Sequence, residues 1–204
     1  MFKKILFFLV IFGSISLHAQ QKKVIIDADT GNEVDDLYAI VRGLVEPTWD
    51  VVGLNSTQWQ ITHWNIDKTM ENSYRLNTVL VSYLGMNDEV KVNKGAEQRL
   101  FDWGEKHQPS TSALEIIKHA HSMPEGEKLY VIALGALTNV ASAILMDETI
   151  SDKIALYWLG TKYNFEEGYL TKMDFNCMMD MQAVDVLMHS NVEWQSGSIL
   201  LQKL

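Results

Sequence analysis

Asp27, Asp29, Glu33, Asp35 and Asp36 place five acids within ten consecutive residues. Two carboxylates about 5 Å apart repel by roughly 3 kcal/mol at an effective dielectric of about 20. Acids near a helix N-terminus recover only about 0.3–1 kcal/mol each from the helix dipole. A hard cation removes the repulsion, because Ca²⁺ and Mg²⁺ take oxygen ligands, and a carboxylate-first donor set favours them over zinc. The alternative is a solvated acidic cap with no ion. Two further segments carry polar groups with chemical potential: Thr138-Asn139, just after Gly135, and Asp174-Phe175-Asn176. Taken alone, Thr138 reads as a helix N-cap, and Asp174 and Asn176 as loop groups bonding their own backbone. His119 and His121 are two apart and do not share a helix face, and no HExxH spacing occurs, so a zinc-protease reading fails.

The elements that must position these residues follow from the hydrophobic pattern. Val24, Ile25 and Ile26 form an apolar, β-branched run that reads as a buried parallel strand and carries Asp27 and Asp29 to its C-terminal end. Val34, Leu37, Val41, Leu44 and Val45 keep helical spacing, which puts Asp35 and Asp36 in the first turn of a helix. Further strands are expected at residues 50–55, 129–134 and 153–159, and helices at 62–84, 114–121, through 146 after Thr138, and from Asp180 and Ala183 to about His189. Residues 96–112 read as a long loop of the kind that forms lids, carrying Trp103 and His107. Trp59 and Trp64 read as core or lid packing, with stacking on a ligand base as the alternative. Strands alternating with helices, with no repeat or linker between them, imply one α/β domain: a doubly wound, mostly parallel sheet with helices on both faces.

An Asp-x-Asp ending a first strand, a Gly-containing turn, and Asp-Asp opening a helix resembles the inosine-uridine-preferring nucleoside hydrolases. The segment LGALTNVA is similar to the family's LGPLTN, and Asp174-Phe175-Asn176 resembles its Glu-Phe-Asn motif. The resemblance spans roughly residues 24–192 and implies hydrolysis of the N-glycosidic bond of a ribonucleoside to ribose and free base. It implies Ca²⁺ held by Asp29, Asp36 and the backbone carbonyl of Thr138, with Asp29 also taking the proton of an attacking water. It implies Asp35 and Asn176 on ribose hydroxyls, Asp174 nearer the 5′ end, and Asp27 supporting the corner from behind.

Three departures stand out. The turn between the second and third aspartates, Thr30 to Val34, is longer than is usual in the family, and Asp174 replaces the Glu. The chain ends at Leu204 after EWQSGSILLQKL, which does not resemble the family's continuing strand. The missing part supplies a further aspartate to the metal and, in some branches, a histidine that protonates the base, a role His189 does not simply inherit. The expectation is therefore a C-terminally short form, with an inactive sugar- or nucleoside-binding relative as one alternative. A haloacid-dehalogenase-like phosphatase, suggested by Asp27-Ala28-Asp29-Thr30, is a more distant one.

Composition fits a globular chain: 204 residues, 47% hydrophobic and 21% charged, with a formal charge of −9 that argues against binding nucleic-acid phosphates. Lys3 and Lys4, an apolar run over residues 5–17 and Ala19 read as a signal peptide over residues 1–19, ahead of a hydrolase-like domain over 20–204. Export to the periplasm or medium, with no stable membrane association after cleavage, is expected. Cys177 is the single cysteine, so no internal disulfide forms, and it reads as a packed small residue. The resemblance leaves room for a homo-oligomer, of which the sequence carries no signature.

Overall fold

The computed structural model describes residues 21–100, 106–164, 166–171 and 174–196. The expected signal peptide, Trp103 and the end of the tail lie outside them.

Strand β1 (Lys22–Ala28) runs through the middle of the sheet. Its side chains alternate: Val24, Ile26 and Ala28 pack into one apolar layer and Ile25 into the other. The first layer is closed by α1 (Asp35–Leu44) and α2 (Thr69–Tyr83), through Ile40, Leu44 and Val81. The second is closed by α3 (Thr111–His121), α4 (Thr138–Met146) and α6 (Met181–Met188), through Ile116, Val140, Ile144, Val184 and Leu187. The other strands of the sheet are β2 (Trp49–Ser56), β3 (Val92–Asn93), β4 (Leu129–Ala133), β5 (Ile154–Trp158) and β8 (Glu193–Ser196). Their order is β3-β2-β1-β4-β5-β8 and every pairing is parallel. This is the doubly wound sheet expected from the alternation of strands and helices.

The order reverses direction between β1 and β4. The chain leaving β1 turns to the α1 face and the chain leaving β4 turns to the α4 face, so a crevice opens at the C-terminal ends of the two strands. Leu134 N–H on the Asp27 carbonyl (2.8 Å) and Thr57 N–H on the Ala28 carbonyl (2.9 Å) pin the neighbouring loops to the end of β1.

Several elements differ from the sequence expectations. The buried stripe of α1 is Asp36, Ile40, Gly43 and Leu44, whereas Val34 and Val45 are exposed. Residues 62–68 are turns rather than helix, and α2 starts only after Lys68, whose φ of 60° breaks helical geometry. A 3₁₀ turn (Glu148–Lys153) precedes β5. Beyond β5, where no element was expected before Asp180, the chain forms an antiparallel pair, β6 (Lys162–Asn164) and β7 (Tyr169–Thr171), and a short α5 (Phe175–Met179). Most consequential, Glu193–Ser196 is a strand in parallel register with β5, and Trp194 stacks on Trp158 at 6.1 Å. The first four residues of the tail therefore continue the sheet.

Leu156 is fully buried in the layer beneath α4 and α6. Leu156→Ala is expected to cost about 2–5 kcal/mol, read as a lower urea midpoint with an unchanged slope. A loss within about 0.5 kcal/mol, the range of surface substitutions, would contradict this packing.

Candidate active site

The acidic corner is divided by burial. Glu33 and Asp35 are exposed, whereas Asp27, Asp29 and Asp36 are 0%, 2% and 7% exposed. The division follows from the helix: Asp36 lies on the core stripe of α1, and Asp35, one residue earlier, is turned about 100° away. The expected crowd of five thus becomes one buried cluster and two solvent-facing acids.

Asp29 and Asp36 meet within hydrogen-bonding contact. Burial pushes both carboxyls well above the ordinary range, and the negative charge of Asp29 raises Asp36 further. Both shifts have the sign of a pair that keeps a shared proton at neutral pH. The loop leaving β4 closes on this pair at Gly135, where an added Cβ would lie 2.6 Å from Asp29 Cγ and Oδ1. Glycine is the residue that admits the carboxylate there. On the other side, Asn32 Nδ2 donates to Asp29 Oδ2 at 3.0 Å.

Asp27 lies behind the pair. It shares the strand face of Ile25, and so points toward α4, where Asn139 Nδ2 donates to Asp27 Oδ1 at 2.8 Å. Asp27 Oδ2 is buried without a hydrogen-bond partner. Burial raises its pKa to about 7, offset in part by the Asn139 and Asn55 amides.

The remaining candidates are placed differently. Thr138 is the first residue of α4 and not its cap; Leu137 is the N-cap residue, with no side-chain cap bond. The Thr138 hydroxyl donates to Asp180 Oδ2 at 2.6 Å, and so faces α6 rather than the acids. Asp174 caps α5, its Oδ1 accepting from Asn176 N–H at 3.0 Å. Asn176 Nδ2 donates to the carbonyls of Leu134 (2.6 Å) and Leu159 (2.8 Å), which fixes this segment at the ends of β4 and β5. Ser56, Thr57 and Gln58 are fully buried, and Gln58 Nε2 donates to Thr138 Oγ1 at 3.3 Å. Trp59 is core, packed with Ala136, Met179 and Phe175, while Trp64 is 44% exposed and stacks on Phe175 at 5.6 Å. His107 is exposed, and His189 lines a surface cleft with Ile144 and Glu148 at the far end of α4.

Residues 24–201 match the profile of the family described as Inosine-uridine preferring nucleoside hydrolase. The chain belongs to this family. The match runs past β8, in agreement with the sheet and against the expectation that the tail departs from the family pattern. Solved structures agree in fold. An inosine-guanosine nucleoside hydrolase superposes with a TM-score of 0.65 at 21% identity, over 86% of this chain and 61% of its own. A purine-preferring ribonucleoside hydrolase from Gardnerella vaginalis gives 0.66 at 23%, over 86% and 60%. An inosine-uridine preferring nucleoside hydrolase from Bacillus anthracis gives 0.59 at 20%, over 86% and 64%. The chain thus spans about three fifths of the length of these nucleoside hydrolases. No match is found among curated proteins. Membership removes the phosphatase alternative, which rested on the Asp-x-Asp alone.

The residues present suit a hard cation. Two buried carboxyls face each other, Asp27 Oδ2 behind them is an orphaned acceptor, and the main causes of the Asp29 and Asp36 shifts are burial and neighbouring acids rather than a cationic side chain. Among the described residues no group of three His, Cys, Asp or Glu converges as a ready-made cage. A cation there would draw on two carboxylates, backbone oxygen and water.

Asn139 was within reach of sequence reasoning as part of LGALTN, but its bond to Asp27 spans 112 residues. Asn32 and Gly135 carry a weaker signal, a Gly-Asn turn and a glycine after a strand.

A carboxyl whose folded pKa exceeds its unfolded value stabilises the fold below the unfolded pKa and loses that contribution as pH rises through the folded one. For Asp27 the window runs from 3.8 to about 7. Asp27→Asn, which keeps an acceptor for Asn139, should therefore gain on the wild type by a few degrees in melting temperature between about pH 5 and about pH 8, measured in chelator. A constant difference across that range would remove the assignment.

Proposed function

We propose that this chain carries the catalytic half-site of a nucleoside hydrolase, which cleaves the N-glycosidic bond of a ribonucleoside to ribose and free base. The observation that carries the reading is the buried Asp29–Asp36 pair at the β1–β4 switch point, in a chain that belongs to the family. Asp29 and Asp36, with the Thr138 carbonyl, are the proposed holders of a Ca²⁺ ion. When bound, the ion would orient a water and lower its pKa.

Asp29 accepts a proton from the water that attacks the anomeric carbon; the C–N bond breaks as the new C–O bond forms, and the departing base takes up a proton from solvent. The buried negative charge of Asp29 and Asp36 stabilises the positive charge that develops on the sugar, in surroundings that screen it little. In this reading Asp35, exposed at the first turn of α1, holds ribose hydroxyls. Asn176 spends Nδ2 on the Leu134 and Leu159 carbonyls, so it meets a sugar hydroxyl through Oδ1, as an acceptor. Asp174 takes the 5′ side. The substrate is a small-molecule ribonucleoside, and export by residues 1–19 and assembly into a homo-oligomer belong to the same proposal. Among the described residues no helix is long and apolar enough to cross a membrane.

The test is ribose release from inosine and from uridine, with Ca²⁺ and after chelation. Chelator-sensitive release that falls at least about 1,000-fold in Asp29→Ala is expected, since the residue combines base and ligand roles. Ca²⁺ binding without release would make the chain a binding relative, and release indifferent to Asp29 would refute the assignment.

A further inference from the structure

The turn after β1 does more than join it to α1. Asn32 N–H donates to the Asp29 carbonyl at 3.1 Å, and Gly31 makes that turn possible with a φ of 100°. The Asn32 side chain then folds back over the same residue. Its Nδ2 donates to Asp29 Oδ2 at 3.0 Å, and its Oδ1 accepts from the Trp64 indole N–H at 3.0 Å. An ionised carboxylate only accepts and an indole N–H only donates, so a single orientation of the amide satisfies both partners. The amide is locked at both ends.

Trp64 continues the connection. Its ring lies parallel to Phe175, with centroids 5.6 Å apart and planes 4° from coplanar, and His63 meets its edge at 4.4 Å. Phe175 sits between Asp174 and Asn176 and packs on Trp59, Ala136 and Met179. Four residues from three separate segments thus form a chain of contacts, Asp29–Asn32–Trp64–Phe175, that runs from the acidic pair to the segment on the other side of the crevice. An exposed tryptophan gains little from burial; this one is held by a directed hydrogen bond and a stack.

We propose that Asn32 is a positioning residue that couples the Asp29 carboxylate to the Trp64–Phe175 stack, so that cation binding on one side of the crevice and the arrangement of the sugar-side segment on the other depend on each other. The proposal rests on the cation reading of Asp29 given above. The relay fixes Asp29 Oδ2 toward Asn32 and leaves Oδ1 against Gly135. Hydrogen bonds in series strengthen one another, so the indole N–H makes the amide a better donor to the carboxylate. Trp64 thereby acts on Asp29 without touching it.

The experiment is a Ca²⁺ titration by calorimetry of wild type, Asn32→Ala, Trp64→Phe and the double variant. Trp64→Phe keeps an aromatic stack and removes only the donor. Asn32→Ala should weaken Ca²⁺ binding about tenfold, the scale of one hydrogen bond to a charged group. Trp64→Phe should weaken it by a smaller factor, and the double variant should be no weaker than Asn32→Ala, since the two act in series. Unchanged or tighter binding in Trp64→Phe, or additive losses in the double variant, overturns the relay. If the wild type binds no Ca²⁺, the cation reading fails. The relay is then decided by the Trp64 indole N–H resonance, identified by its loss in Trp64→Phe: a shift in Asp29→Ala supports it, and an unmoved resonance overturns it.

Discussion

The structure depends on two carboxyl groups that water would ordinarily keep apart. Asp29 directly follows the central strand and Asp36 occupies the core stripe of the following helix, so folding β1 and α1 together forces the two against each other. Their solvation is lost, and among the described residues no basic side chain is a main influence on either. Such an arrangement is held by a shared proton or by a cation. The surroundings serve this pair: Gly135 gives it room, the N-terminus of α1 supplies a favourable dipole, and the reversal of strand order between β1 and β4 opens the crevice above it.

A second, deeper set of bonds holds the corner in place. Asn139 of α4 reaches Asp27 and also donates to the Ser56 carbonyl at 3.2 Å, while its Oδ1 accepts from Ala96 N–H at 2.8 Å. One side chain therefore ties β1, the end of β2 and the loop after β3 to α4. Asp180 does similar work for α6, accepting from Thr138 Oγ1, from Leu100 N–H at 2.9 Å and from Ala183 N–H at 3.0 Å. These buried polar groups make the crevice rigid where an apolar core alone would leave its loops free to settle in several ways.

Much of this was legible in the sequence, and the failures have physical causes. The parallel sheet followed from β-branched runs at Val24, Val131 and Ile154 alternating with helices. Asp36 was not recognisable as a core position, because a stripe read from valines and leucines alone assigns Val34 and Val45 to the inner face. Strand β8 was hidden because Glu193, Gln195 and Ser196 are polar; it is a strand by virtue of its register with β5, not of its composition. The three-residue strands β6 and β7 are too short to show a period. Trp64 could be seen as an aromatic but not as a partner of Asn32, since contacts across 32 residues leave no local trace. The hydroxyl of Thr138 illustrates the same limit: cap chemistry is local, whereas its bond to Asp180 is made by packing α4 against α6.

The most direct test of the central claim is a crystal structure of the protein grown with Ca²⁺ in excess. A cation seated between Asp29 and Asp36, with carboxylate oxygens at about 2.3–2.6 Å and a backbone carbonyl from the loop after β4 in its shell, is the predicted result. Asp29 and Asp36 still bonded to each other, with no ion between them, would contradict the account and leave the pair as a shared-proton cap.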